Sequence, residues 1–293
     1  MTLSDASSSS WLRDDCKQLY KTIKDEHKAI RIARRGRTLR FSINYSWNVF
    51  TTYPNAQILE FGVHTGRDLC LIDRAVRQKE NEMSSKQHKD NDTTTTNIER
   101  HIIHGFDSFR GLPEDWDNGK EGYDAGKFDL NGVPPDLAEI RQYLSSKTKD
   151  SDTYTPTNQT TGLPETNIQD NVKLHAGWFT DTISPFFDVH KEPIAYIHAD
   201  ADLYSSTITF LSEICKRQLL VKGTVITFDE YANYKGWQEG EYKAWMEMVE
   251  EYSIEYRYIC YHAPSESKDL DKNKFHNEFG YQSVSLVITS VPW

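Results

Sequence analysis

The stretch Ile58-Leu59-Glu60-Phe61-Gly62-Val63-His64-Thr65-Gly66 decides the fold, because an apolar run enters a loop that carries an acidic residue and two spaced glycines. The run suits a core strand, and glycine at 62 and 66 lets the backbone take positive φ and come close to a ligand. Beyond the turn, Leu69, Ile72 and Val76 fall on one face of a helix that opens at Arg67. Strand, glycine turn and helix make a cradle. Its E-x-G-x-x-x-G spacing differs from the G-x-G-x-x-G that seats a pyrophosphate, which argues against a nicotinamide oxidoreductase, and it lacks the Lys-Ser/Thr of a P-loop.

A second apolar strand, Ile102-Ile103-His104-Gly105-Phe106-Asp107, also ends in an acid. A carboxylate there can accept both hydroxyls of a ribose, so Glu60 and Asp107 form a candidate cofactor pair. The E-x-G-x-x-x-G turn resembles the pattern of S-adenosylmethionine-dependent methyltransferases, whose cofactor has no phosphate to bind. The run from Phe106 through Asp107-Ser108-Phe109-Arg110-Gly111-Leu112-Pro113-Glu114-Asp115 to Trp116 resembles the F-D-S-F-x-G-L-P-E-x-W signature of the macrocin O-methyltransferase family, which methylates sugar hydroxyls.

The resemblance runs from about residue 56 to 290, through Gly177-Trp178-Phe179-Thr180-Asp181-Thr182, Asp200-Ala201-Asp202-Leu203-Tyr204-Ser205-Ser206-Thr207 and Asp229-Glu230-Tyr231. It implies a cofactor site at Glu60, Gly62, Gly66, Asp107, Ser108, Gly177, Trp178 and Asp200. It also implies Asp200, Asp229 and Glu230 as ligands of a divalent ion, with Asp200 or Asp202 as general base. Glu230 stands where that family has Asp, one methylene longer. The segment Ala125-Gly126-Lys127-Phe128, within the glycine-rich stretch 111–135, resembles the family's lid, whose closure would exclude water.

The residues alone point the same way. Glu60, Asp107, Asp200, Asp202, Asp229 and Glu230 all follow apolar strands, where open α/β sheets bind ligands, and carboxylates gathered at one edge repel unless a cation or ligand intervenes. Asp200, Asp229 and Glu230 offer the hard oxygen ligands that Mg²⁺ takes, and Asp202 also suits a cap of the helix that follows. A metal-dependent hydrolase would use the acids and leave the glycine turn idle. A cofactor-binding interaction protein without turnover would keep the turn and dispense with the metal. His198 reads as a strand residue with a satisfied hydrogen bond. Tyr231 and Trp237 offer stacking faces to a sugar, whereas Trp245 shares a helical face with Tyr242 and Val249 and belongs to the core.

With 34 basic against 44 acidic residues, the net charge of −10 disfavours nucleic acid and anionic membranes as partners, while the family resemblance implies a small hydroxylated acceptor. The basic run 31–40 reads as a solvated helix end. Cys16, Cys70, Cys215 and Cys260 show no C-x-x-C spacing, and neither an apolar leader nor a membrane-length apolar stretch is visible, so a cytoplasmic protein is expected. Leu12, Cys16, Leu19 and Ile23 recur at helical spacing, so residues 1–50 are expected as a helical extension of the kind that shapes a substrate site or a homo-oligomer contact. Residues 51–293 then form a Rossmann-like α/β domain of the class I methyltransferase type, with a mostly parallel sheet, helices on both faces and an antiparallel hairpin at one edge. Polar stretches 83–97 and 145–170 read as surface insertions.

Overall fold

The computed structural model of the chain describes residues 12–87, 100–146, 171–264 and 281–293. Its centre is an eight-stranded sheet of β1 (Ile30–Ile32), β2 (Gln57–Phe61), β3 (Ile103–Asp107), β4 (Val172–Ala176), β5 (Ile194–Ala199), β6 (Leu220–Phe228), β7 (Glu255–His262) and β8 (Val284–Ser290). The order is β1-β7-β8-β6-β5-β2-β3-β4, and only β8 runs antiparallel to its neighbours. This is the Rossmann-like, mostly parallel sheet expected.

Helices α1 (Lys17–Lys21), α2 (Arg35–Ser46), α3 (Asn48–Thr52), α4 (Arg67–Gln87), α5 (Leu137–Ser146), α6 (Phe179–Val189), α7 (Tyr204–Lys216) and α8 (Glu241–Tyr252) cover the sheet. One face buries Phe61, Phe106, Ile197 and Phe228 with residues of α6, α7 and α8; the other buries Ile58, Ile103, Ala195 and Val225 with residues of α2, α3, α4 and α5. Central parallel strands buried on both faces need apolar residues at successive positions, as the sequence of β2 and β5 supplies. The rings of Phe61 and Phe210 stack 4.1 Å apart, and burying each contributes roughly 1.5–3 kcal/mol.

Two expectations shift. The β7–β8 hairpin is present but is not outermost: β8 is inserted between β6 and β7, and β1 closes the edge beyond β7. β6 begins at Leu220, with Gly223 inside the strand at φ +100°, and Gln218, at φ +57°, takes the left-handed turn after α7. The N-terminal extension is helical only in part and does not stand apart. Cys16, Tyr20 and Ile23 join the core of the main sheet, and β1 extends that sheet. Of the two polar insertions, 83–87 continues α4 and 145–146 ends α5, while the remainder lies outside the described residues.

Candidate active site

β2 is flanked by β3 on one side and β5 on the other, and the chain moves outward through β3 and β4 before returning to β5. That reversal opens a crevice beyond the carboxyl ends of β2 and β5, where open α/β sheets bind ligands. A cleft of about 750 Å³ occupies it, lined by Gly62, Asp107, Ser108, Trp178, Asp200, Asp202 and Glu230 among others.

The glycine turn is shaped by backbone contact. Gly62 lies at φ +91°, and a Cβ built there would stand 1.7 Å from the carbonyl oxygen of Asp200. Only glycine lets the ends of β2 and β5 meet in this way. Asp107 laces the same turn from the end of β3. Its Oδ2 accepts the N–H groups of Val63 (2.8 Å) and His64 (2.6 Å), and its Oδ1 accepts that of Phe109 (2.7 Å). A carboxylate offers about four acceptor positions, so about one remains rather than a place for both ribose hydroxyls. Gly66 lies at φ +77°, and a Cβ there would stand 2.7 Å from Leu137 Cδ2, so the turn packs directly against α5. Gly177, at φ +145°, precedes Trp178, whose extended backbone starts α6.

Glu60 is not at the cleft. It is 1% exposed, and its Oε1 lies 2.8 Å from Nδ1 of His198, its register partner on β5. Burial raises its pKa to about 7, with His198 pulling the other way. His198 is therefore the bonded strand residue expected, although its Nε2 and Glu60 Oε2 are buried without partners.

The acids at the ends of β5 and β6 do come together, joined by groups the sequence did not single out. Arg35, the first residue of α2, places Nη2 2.7 Å from Asp68 and 2.5 Å from Asp200, and Nη1 2.8 Å from Asp229. The basic run 31–40 is thus not all solvated: one member crosses into the site. Glu241, the first residue of α8 and fully buried, accepts the N–H groups of Ala201 and Glu230, both at 3.2 Å, and so ties the ends of β5 and β6 together. Asp229 spends Oδ1 on the Ser283 hydroxyl (2.6 Å) and Oδ2 on Arg35.

One guanidinium cannot neutralise so many carboxylates. Burial, then repulsion from neighbouring acids, raises the pKa of Asp202 and Glu230, and burial also outweighs Arg35 in raising that of Asp200. Asp229 is also pushed upward by burial, but Arg35 and its hydrogen bonds more than offset this and hold it low. Asp202 takes a left-handed backbone, φ +61°, and α7 is not capped by a side chain, so the cap reading of Asp202 fails.

The donor set for a divalent ion also moves. Ligand atoms of Asp200, Asp202 and Glu230 lie within 4.8 Å of one another, and Glu230 Oε2 is shut from solvent without a partner. These three fit a hard cation; Asp229 falls outside that group, with Ser283 and Arg35 engaging its two oxygens. Tyr231 and Trp237, expected as stacking faces, are buried, as is Trp245. Phe128 and Trp178 instead bring aromatic surface to the cleft, with Phe128 carried by the glycine-rich segment, whose Leu112 and Lys127 are joined by a backbone hydrogen bond of 2.9 Å.

A Rossmann-like sheet with an acid-lined cleft at its switch point, floored by a glycine turn, fits the class I methyltransferase fold. A family model described as a methyltransferase domain matches residues 59–231, and the chain belongs to that family. Among solved structures it is similar to the calicheamicin methyltransferase CalS11 (19% identity, covering 87% of this chain and 80% of that one, TM-score 0.46). It is similar also to the O-methyltransferase NovP (18% identity, 87% and 80% covered, TM-score 0.48) and to an O-methyltransferase from Bacillus cereus in complex with SAH (12% identity, 95% and 92% covered, TM-score 0.44). A comparison with curated proteins finds no match. Among the described residues, no helix is long and apolar enough to cross a membrane, and all four cysteines are buried free thiols.

Proposed function

We propose that the chain is an S-adenosylmethionine-dependent O-methyltransferase acting on a hydroxyl of a small polyhydroxylated or glycosylated metabolite. The observation that carries the reading is the meeting of the Gly62 turn with Asp200 and Asp202 in one cleft, which sets a cofactor cradle beside candidate bases. The likeness of residues 106–116 to the macrocin family signature supports a sugar hydroxyl as acceptor.

In this reading the amino-acid end of the cofactor lies along residues 62–66 and its ribose against Asp107, with Ser108 and Trp178 beside it. Asp200 and Asp202 face the acceptor. Either can take the hydroxyl proton as the oxygen attacks the methyl carbon; the C–O bond forms, the C–S bond breaks, and its electron pair returns to sulfur. Asp200, Asp202 and Glu230 would hold a divalent ion, Mg²⁺ by donor chemistry, which when bound lowers the pKa of a nearby hydroxyl. The segment carrying Leu112, Glu114 and Phe128 covers the cleft, and Glu114 accepts a 2.5 Å hydrogen bond from Ser205 across it, which helps exclude water from the sulfonium.

The test is calorimetric titration with S-adenosylhomocysteine followed by incubation with S-adenosylmethionine, Mg²⁺ and a panel of hydroxylated acceptors, read by mass. Binding followed by a one-methyl mass gain on a sugar-bearing acceptor is the expected result. Absence of cofactor binding would remove the reading.

A further inference from the structure

We propose that Arg35 is the resident cation of this site: a positioning residue that fills the place a metal ion would otherwise take among Asp68, Asp200 and Asp229. A divalent ion is thereby confined to Asp202, Glu230 and the free oxygen of Asp200. The role assigned to Asp200 rests on the methyl-transfer reading, but the ion-binding consequence does not.

Three carboxylates from three elements converge on one guanidinium. Asp68 comes from the first turn of α4, Asp200 follows β5 and Asp229 follows β6, and Arg35 reaches them at 2.7, 2.5 and 2.8 Å. Asp68, His198 and Asp200 by themselves meet the geometric requirement for an ion, with ligand atoms within 4.8 Å of one another. Nη2 of Arg35 already bonds the two acids of that group, and a dication on the same oxygens would be repelled by it at contact distance. Asp229 is closed for the same reason, with Ser283 on its other oxygen.

The position of Arg35 is not explained by its helix. A basic residue in the first turn faces the positive end of the helix dipole and is unfavourable there. α2 nevertheless starts with Arg35 and packs its Gly36 against α4, where a Cβ would meet Leu71 Cδ1 at 3.5 Å. The carboxylates supply what the dipole takes away. A planar fork can hold acids on different sides at fixed angles, which a lysine ammonium cannot, so Arg35 fixes Asp200 by Oδ2 and leaves Oδ1 for the acceptor or an ion.

The experiment counts Mn²⁺ bound to the full chain by the electron paramagnetic resonance of free Mn²⁺, with S-adenosylhomocysteine calorimetry run alongside. Arg35→Met should bind one more Mn²⁺ per chain than the wild type, and Arg35→Lys, which keeps the charge, should not. Asp229→Asn in the wild-type background should leave Mn²⁺ affinity within about three-fold, since Asp229 serves Arg35 rather than the ion. A loss of about ten-fold or more in Asp229→Asn, or an unchanged count in folded Arg35→Met, would overturn the proposal. If Arg35→Met does not fold, Asp229→Asn decides alone. Failure of the wild type to bind S-adenosylhomocysteine would count against the methyltransferase reading instead and leave the Mn²⁺ count interpretable.

Discussion

Gly62 and Asp200 meet through their backbones: the α-carbon of one faces the carbonyl of the other so closely that a methyl group between them would lie 1.7 Å from oxygen. The cofactor turn and the candidate base are therefore one mechanical unit. Gly62→Ala must separate the ends of β2 and β5 and also hold alanine at φ +91°. The two penalties together come to roughly 2–5 kcal/mol. Thermal unfolding should show this loss, and calorimetry should show that the folded remainder binds S-adenosylhomocysteine weakly. A variant with wild-type stability and affinity would mean that the turn relaxes freely.

How far the sequence discloses this site depends on how local each relationship is. The strands β2, β3 and β5 are legible because parallel strands buried on both faces need largely apolar runs, and the turn is legible because positive φ selects glycine. Asp107 is legible as to place but not as to its three backbone bonds. Arg35 is not legible. Its role arises when α2 is laid against the end of the sheet, far from Asp200 in sequence, and a run of arginines read locally looks solvated. Glu60 carried a signal that adjacency to Gly62 masked: a carboxylate inside an apolar run must face a partner, and His198 occupies the matching place in β5.

That pair sets a pH dependence. Glu60 rises from an ordinary 4.5 to about 7 in the folded chain, mainly through burial, so folding binds a proton that the unfolded chain has released. Its contribution is fully present below the unfolded value and is lost as pH rises through about 7. His104 behaves oppositely: burial, with His175 adding to it, lowers its pKa from 6.5 to about 3, so its contribution holds above 6.5 and fades as pH falls. Between 4.5 and 6.5 the two slopes oppose each other, so Glu60→Gln, which removes the Glu60 slope, should make the melting temperature fall more steeply than in the wild type as pH drops through that range. The same pH profile in both proteins would contradict the buried, protonatable Glu60.

Asp107→Ala should weaken S-adenosylhomocysteine binding by roughly 1.5–3 kcal/mol, because a charge-assisted bond to the ribose is lost and the turn is unlaced. The two causes can be separated. Asp107→Asn keeps an acceptor oxygen for part of the lacing, so it should recover stability more fully than affinity. Unchanged affinity in Asp107→Ala would remove Asp107 from the cofactor site.

The last prediction concerns the ion. Asp200, Asp202 and Glu230 present converging oxygens, and the unpartnered Glu230 Oε2 has no protein donor to satisfy it, so the site gains by taking a cation. The sulfonium cofactor has no use for one. Chelation should therefore abolish methyl transfer to a hydroxyl acceptor while leaving S-adenosylhomocysteine affinity nearly unchanged. Glu230→Ala should behave like chelation, and Glu230→Gln should bind Mn²⁺ more weakly yet keep the cofactor. Metal-free protein working at full rate in excess chelator would move proton removal to Asp200 and Asp202 alone, with Arg35 the cation that remains beside them.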